Sequence, residues 1–251
     1  MAENLSKLNP TTQGEQNPTE LLKVLESYDT TLLLHESGSM SKENQREQAY
    51  EALGKFAQTM MKYDKDGTGL YLLRVTPTQT ADLRQGLLAG GNLGLQIAKM
   101  LPTPLTCSAP VPTYTGSIDS CLTKVMNTYL ATLGTPIPTK MLSIIVITDG
   151  EPTGDASPDL EELFIDTAKK LDDLKAPKGQ LVVQFVQIGE DPGASRRLGK
   201  LNRLKDKCGG RDMVYCLGRK ANGSRRGSTW IKAAVGAVNE MPGLKKCMKK
   251  T

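Results

Sequence analysis

Two uninterrupted apolar runs constrain this chain more than anything else in it. Residues 30–34 (Thr-Thr-Leu-Leu-Leu) and 141–148 (Met-Leu-Ser-Ile-Ile-Val-Ile-Thr) are β-branched and aliphatic, of strand length, and show no polar alternation. A strand with two apolar faces is buried on both sides, and this belongs to parallel sheets covered by helices. Shorter runs at 70–75, 180–188 and 213–217 read as further strands. Between them lie helical patterns. After 30–34 a stripe of Ala49, Leu53, Phe56, Ala57, Met60 and Met61 recurs at three and four. A helix through about Leu133 carries Ile118, Cys121, Leu122, Val125 and Met126 on one face, and further helices are predicted at 159–174, 194–205 and 229–239. Asn17-Pro18-Thr19-Glu20 supplies a cap, a proline and a capping-box acid for a short helix ending at Ser27. Strands alternating with helices predict an α/β fold: one domain with a doubly wound, mostly parallel central sheet flanked by helices.

Each apolar run ends in polar turn chemistry. The first passes into His35-Glu36-Ser37-Gly38-Ser39-Met40, the second into Asp149-Gly150-Glu151. In open α/β sheets ligands gather at the carboxyl ends of the strands, where the winding reverses. The two runs are therefore expected side by side, with the 35–39 turn, the loop at 113–116 and Asp149 around one crevice. The loop is the end of a proline-rich stretch, 102–116.

These residues carry a resemblance. Leu-Leu-Leu-His-Glu-Ser-Gly-Ser-Met (32–40) resembles the first metal-site motif of von Willebrand factor type A domains, Asp-x-Ser-x-Ser. Ile-Ile-Val-Ile-Thr-Asp-Gly (144–150) resembles that family's second signature. The resemblance implies a Rossmann-like domain over 17–240, with a flexible leader at 1–16 and a basic tail at 241–251. It also implies a metal-ion-dependent adhesion site in which Ser37, Ser39, Asp149 and a threonine supply oxygens to Mg²⁺. Thr113 is the threonine by its Thr-Tyr-Thr-Gly context, with Thr115 the close alternative and Asn92 a more distant one.

The chain departs from the motif at one position. Where the family carries the leading aspartate stands His35, the only histidine. Neutral imidazole adds no negative charge, and it suits Zn²⁺ better than Mg²⁺. Weak or absent Mg²⁺ binding is expected, with no cofactor required and a residual divalent metal (Mg, Mn or Zn) left open. Two functions follow. One is a ligand- or protein-binding module that works above the sheet without strong metal dependence. The other is an isomerase, cyclase or lyase on a small organic substrate, in which His35, helped by Asp149 and Glu36, performs acid–base chemistry. A serine hydrolase is disfavoured, since Glu-Ser-Gly-Ser-Met lacks the leading glycine of a nucleophile elbow.

Composition narrows the rest. The five cysteines are scattered without Cys-x-x-Cys spacing, which predicts free thiols in a reducing, cytoplasmic setting rather than disulfides or a cysteine zinc site. No apolar h-region opens the chain and no run approaches a membrane span. The sequon at Asn222 is therefore read as unused. The net charge of +5 is concentrated at the end: after Leu217 nine Lys/Arg face the single acid Glu240. With aromatics at 4%, no base-stacking motif interleaves with those lysines, so no specific nucleic-acid partner is predicted. Asp64-Lys-Asp-Gly reads as a turn, lacking the later ligands of a calcium loop, and Gly90-Gly91 lacks the spacing of a nucleotide loop.

Overall fold

A computed structural model describes residues 24–36, 38–41, 45, 48–49, 52–53, 69–74, 113–115, 117–150 and 159–217. For residues 24–25, 36, 38, 41, 69–74, 113–115 and 217, Glu36, Thr113 and Thr115 among them, the backbone alone is described. The leader, the basic tail, Ser37, Asn92 and the expected helix at 229–239 lie outside these residues, as does most of the expected helix ending at Ser27. Of that helix, Val24–Ser27 forms a 3₁₀ turn.

The described strands form a single sheet. β1 is Tyr28–Glu36, β2 Gly69–Arg74, β3 Thr113–Thr115, β4 Met141–Thr148, β5 Leu181–Gln187 and β6 Val214–Leu217. All five pairings are parallel, in the order β3-β2-β1-β4-β5-β6. From β1 the chain steps outward through β2 to β3, then starts again on β1's other side with β4 and steps outward the opposite way. The two apolar runs are thus neighbours, with Leu33 beside Val146 and Leu34 beside Ile147.

Among the described residues three helices are continuous. α1 is Ile118–Leu133, α2 Leu160–Asp173 and α3 Pro192–Leu201. Each starts where a short side chain accepts a backbone N–H of the first turn: Ser117 from Ser120, Asp159 from Glu161 and Asp191 from Ala194. Pro192 then occupies the first turn of α3, where its missing N–H costs nothing. α3 ends at Leu201 rather than at the expected 205. Its C-cap Asn202 is followed by successive turns, and Leu204 still reaches the core.

The main core joins these helices to one face of the sheet. Leu33, Ile144, Val146, Val183 and Phe185 meet Leu122, Val125 and Met126 of α1, Phe164, Ala168 and Leu171 of α2, and Leu198 and Leu201 of α3. Phe164 meets Phe185 edge to face, with centroids 6.3 Å apart. The alternate residues Leu32, Leu34, Ile145, Ile147, Val182 and Val186 point to the other face and are equally buried. Among the described residues following β1, Gln45, Gln48, Ala49, Ala52 and Leu53 are helical, and Ala49, Ala52 and Leu53 are buried, as the 49/53 periodicity predicts.

Two sequence expectations give way here. β1 does not end at residue 34: it continues through His35, beside Leu73 of β2, and Glu36, beside Arg74. The strand persists because the ladder to β2 holds the backbone extended even where the side chains turn polar. Thr113–Thr115 is likewise a strand, not loop, pairing with Leu72–Arg74 at the sheet edge. Two threonines and a tyrosine are good strand residues once a partner backbone is present.

The amino ends of the strands carry a closed polar network. Tyr129 Oη donates to the Lys140 carbonyl at 2.7 Å and accepts from Gln180 Nε2 at 2.6 Å. Tyr28 Oη donates to the Gly179 carbonyl at 3.0 Å. Burial pushes the Tyr129 hydroxyl up to about 12, against the opposing hydrogen bond from Gln180. Nearby, Arg211 is 1% exposed. Its guanidinium donates to the Ala176 and Pro177 carbonyls, each at 2.7 Å, and to Asp172 Oδ1. It thereby ties the turn before β6 to the loop before β5. Cys121, Cys208 and Cys216 are free, and burial raises all three thiols, Cys121 and Cys216 to about 12. Among the described residues no helix is long and apolar enough to cross a membrane.

Candidate functional site

The site lies at the carboxyl ends of β1 and β4, where the strand order reverses. Ligands gather at such a point in open α/β sheets because the adjoining connections diverge and leave a crevice. His35 follows Leu33 by two residues and Thr148 follows Val146 by two, so both side chains emerge on the face that carries α1–α3. The register that pairs Leu34 with Ile147 brings His35 and Thr148 level. His35 Nδ1 lies 3.1 Å from Thr148 Oγ1 and 3.5 Å from Asp149 Oδ1. Ser39, in the 3₁₀ turn Gly38–Ser41, donates its hydroxyl to Asp149 Oδ2. The Gly150 N–H donates to Thr148 Oγ1 at 2.9 Å.

A chain of contacts thus runs Ser39–Asp149–His35–Thr148–Gly150 and ties the turn after β1 to the turn after β4. It is largely shielded from water: His35 is 1% and Asp149 3% exposed. Thr148 is fully buried. Gly150 has a φ of 76°, and a Cβ built there would lie 2.8 Å from Ala194 Cβ of α3. Only glycine both adopts that backbone and lets α3 approach. The Gly150 carbonyl accepts from Arg197 Nη2 at 2.7 Å, which ties the turn to α3 a second time.

Of the residues named from the sequence, the fold brings together His35, Ser39 and Asp149. Glu36 ends β1 one position beyond His35. Thr113 and Thr115 sit in β3, with β2 intervening before β1. At the ~4.8 Å spacing of paired strands their backbone is roughly 10 Å away from that of His35. Ser37 and Asn92 lie outside the described residues. Thr148 is the participant that sequence reasoning missed. It was counted as the last residue of a strand, because threonine is a strand former as well as a hydroxyl donor, and the strand reading absorbed it. Its position directly before Asp149 was the available signal.

The imidazole has two inequivalent nitrogens. Nδ1 is engaged, whereas Nε2 is buried and has no hydrogen-bond partner among the described residues. Gln45 Oε1 is buried and unpaired in the same sense. Gln45 packs beside the turn after β5, where a Cβ on Gly189 would lie 2.6 Å from its Nε2. Among the described residues no three His, Cys, Asp or Glu side chains converge as metal ligands. No protein-family model and no curated protein matches this chain.

Proposed function

We propose that this chain is a type A-like α/β domain, doubly wound in the Rossmann manner, whose crevice above β1 and β4 binds a protein partner or a small organic ligand without depending on Mg²⁺. The observation that carries the reading is the His35 contact pair. Where the motif resemblance calls for an aspartate that helps to hold a cation, an imidazole reaches Thr148 and Asp149 directly. A hydrogen-bonded side chain then does the cross-linking that an ion does in the resembling family. The described donors also fit a hard cation poorly. Magnesium wants six oxygens in near-octahedral array. Asp149 is the one carboxylate of the group, with one oxygen accepting from Ser39 and the other facing His35.

Calorimetry with Mg²⁺ tests this. The natural chain should give no saturable heat at millimolar Mg²⁺, whereas His35→Asp, which restores the motif, should bind. Tight Mg²⁺ binding by the natural chain would overturn the proposal.

A second reading is favoured by the unpaired Nε2. A buried imidazole beside a carboxylate is equipped to accept a proton at one nitrogen while the other is held, as in acid–base isomerases and lyases. Both readings place the occupant against the same ring.

A further inference from the structure

The ring nitrogen that the protein leaves alone identifies the kind of group the crevice receives. Nδ1 of His35 faces two oxygens, Thr148 Oγ1 at 3.1 Å and Asp149 Oδ1 at 3.5 Å. If Nδ1 were bare, the Thr148 hydroxyl could donate to it, but its lone pair would also face the Asp149 carboxylate, an unfavourable pairing in a buried setting. If Nδ1 carries the proton, the N–H lies between two acceptors and both contacts are attractive. The hydrogen bond at one imidazole nitrogen sets the state of the other. A neutral His35 is therefore the Nδ1–H tautomer, and Nε2 is a bare lone pair. That lone pair is buried, and it lacks a donor among the described residues.

An unmet buried acceptor loses its solvation without compensation, and native proteins hold few of them. Such a group is explained when something else completes it. In water-poor surroundings the completed hydrogen bond is stronger than it would be in water, so it discriminates well between occupants that have a donor and those that lack one.

We propose that Nε2 of His35 is the recognition atom of the crevice, and that the ligand class is a compact group bearing an N–H or O–H donor, such as an amide, urea or alcohol. This rests on the crevice reading above. The two can fail separately, because the tautomer is read without any ligand and Mg²⁺ affinity is read without the tautomer.

The test uses the full chain labelled with ¹⁵N. His35 is the only histidine, so long-range ¹H–¹⁵N NMR of the imidazole reports on it without assignment ambiguity. In the neutral imidazole Nδ1 should carry the proton and Nε2 should show the unprotonated shift. Acetamide, which has donors, should move the Nε2 resonance saturably. Acetone, nearly the same shape without a donor, should not. In His35→Asn the amide nitrogen replaces Nδ1–H and nothing replaces Nε2. The Gly150 amide, bonded to Thr148 beside the ring, should move with acetamide in the natural chain and not in this variant, which should keep its fold. A protonated Nε2, equal responses to the two probes, or cross-relaxation to a bound water with no probe response would each overturn the proposal.

Discussion

The two ends of this sheet treat buried polar groups in opposite ways. At the amino ends Tyr28, Tyr129, Gln180 and Arg211 each reach a backbone carbonyl or a side chain that answers them. At the carboxyl ends His35 keeps Nε2 and Gln45 keeps Oε1 without a partner among the described residues. Both ends are shielded from water, so burial does not account for the difference. A satisfied network in a low-dielectric interior rigidifies and specifies a fold, whereas a half-satisfied one weakens it. The amino end therefore has the character of a structural clamp, and the carboxyl end leaves two acceptors unmet, one of them the atom that the proposed ligand would complete.

If that contrast is right, the largest losses of stability come from the end without the crevice. Arg211→Ala removes a fully buried guanidinium and its hydrogen bonds to the Ala176 and Pro177 carbonyls, of which Pro177 keeps the Gln180 N–H. The expected loss is on the order of 3 kcal/mol, since the packing of a buried side chain and its hydrogen bonds to two carbonyls and Asp172 are lost together. Urea denaturation followed by circular dichroism would show it as a lower midpoint at unchanged slope. A loss below about 1 kcal/mol would mean that the carbonyls find water and that the clamp is not one.

Tyr129→Phe is a gentler probe of the same end. It keeps the ring in the core but removes an oxygen that both donates to Lys140 and accepts from Gln180. The cost should be roughly 1–2 kcal/mol, because the Gln180 amide loses one of its acceptors and the Lys140 carbonyl loses its shorter hydrogen bond while keeping the longer one from Gln180. The same denaturation curve measures it.

The carboxyl end should be cheaper to change. His35→Asn is expected to cost under about 1 kcal/mol, because an amide N–H replaces Nδ1–H toward Thr148 and Asp149, and the unmet Nε2 acceptor disappears. If this variant loses as much stability as Arg211→Ala, the two ends are not different in kind. If it loses little and the response to acetamide vanishes, the division between clamp and site is sharpened.

Which parts of this arrangement could be read from the sequence follows the same physics. β4 was legible to the residue, since an unbroken aliphatic run has no other comfortable place than a covered strand. The ends of α1 and α2 were legible too, with the expected Leu133 and 174 at or within a residue of where the helices stop. β1 was read short. Tyr28, Asp29, His35 and Glu36 extend it at both ends, and their strand conformation comes from ladders to β2 and β4 rather than from hydropathy. β3 was read as loop for a similar reason: three residues after a proline-rich stretch carry no periodicity, and only the backbone of Leu72–Arg74 makes them a strand. At the site, Ser39 and Asp149 were visible as turn residues after apolar runs. Thr148 was hidden by its own strand propensity, and the inequivalence of the two His35 nitrogens is a matter of partners, which no sequence spells out.

The smallest expected effect concerns acid. Asp172 is half-exposed, and its desolvation pushes the carboxyl up. Hydrogen bonds from Arg211 and Lys178 outweigh that, so it sits below its ordinary value of 3.8. A carboxyl with a depressed folded-state pKa favours the folded chain when ionised. Its contribution is therefore complete above the ordinary carboxylate range and is lost as pH falls through the depressed value. Asp172→Asn should lower the denaturation midpoint slightly at neutral pH and converge with the natural chain in acid, where both lack the charge. The exposure of Asp172 makes the effect small, because solvent screens its side of the pair. The guanidinium keeps its two carbonyl acceptors in either case. A stability difference that stays constant down to low pH would place the role of Asp172 in packing rather than charge. It would leave the carbonyls of Ala176 and Pro177 as the whole of what holds Arg211 at the amino end of the sheet.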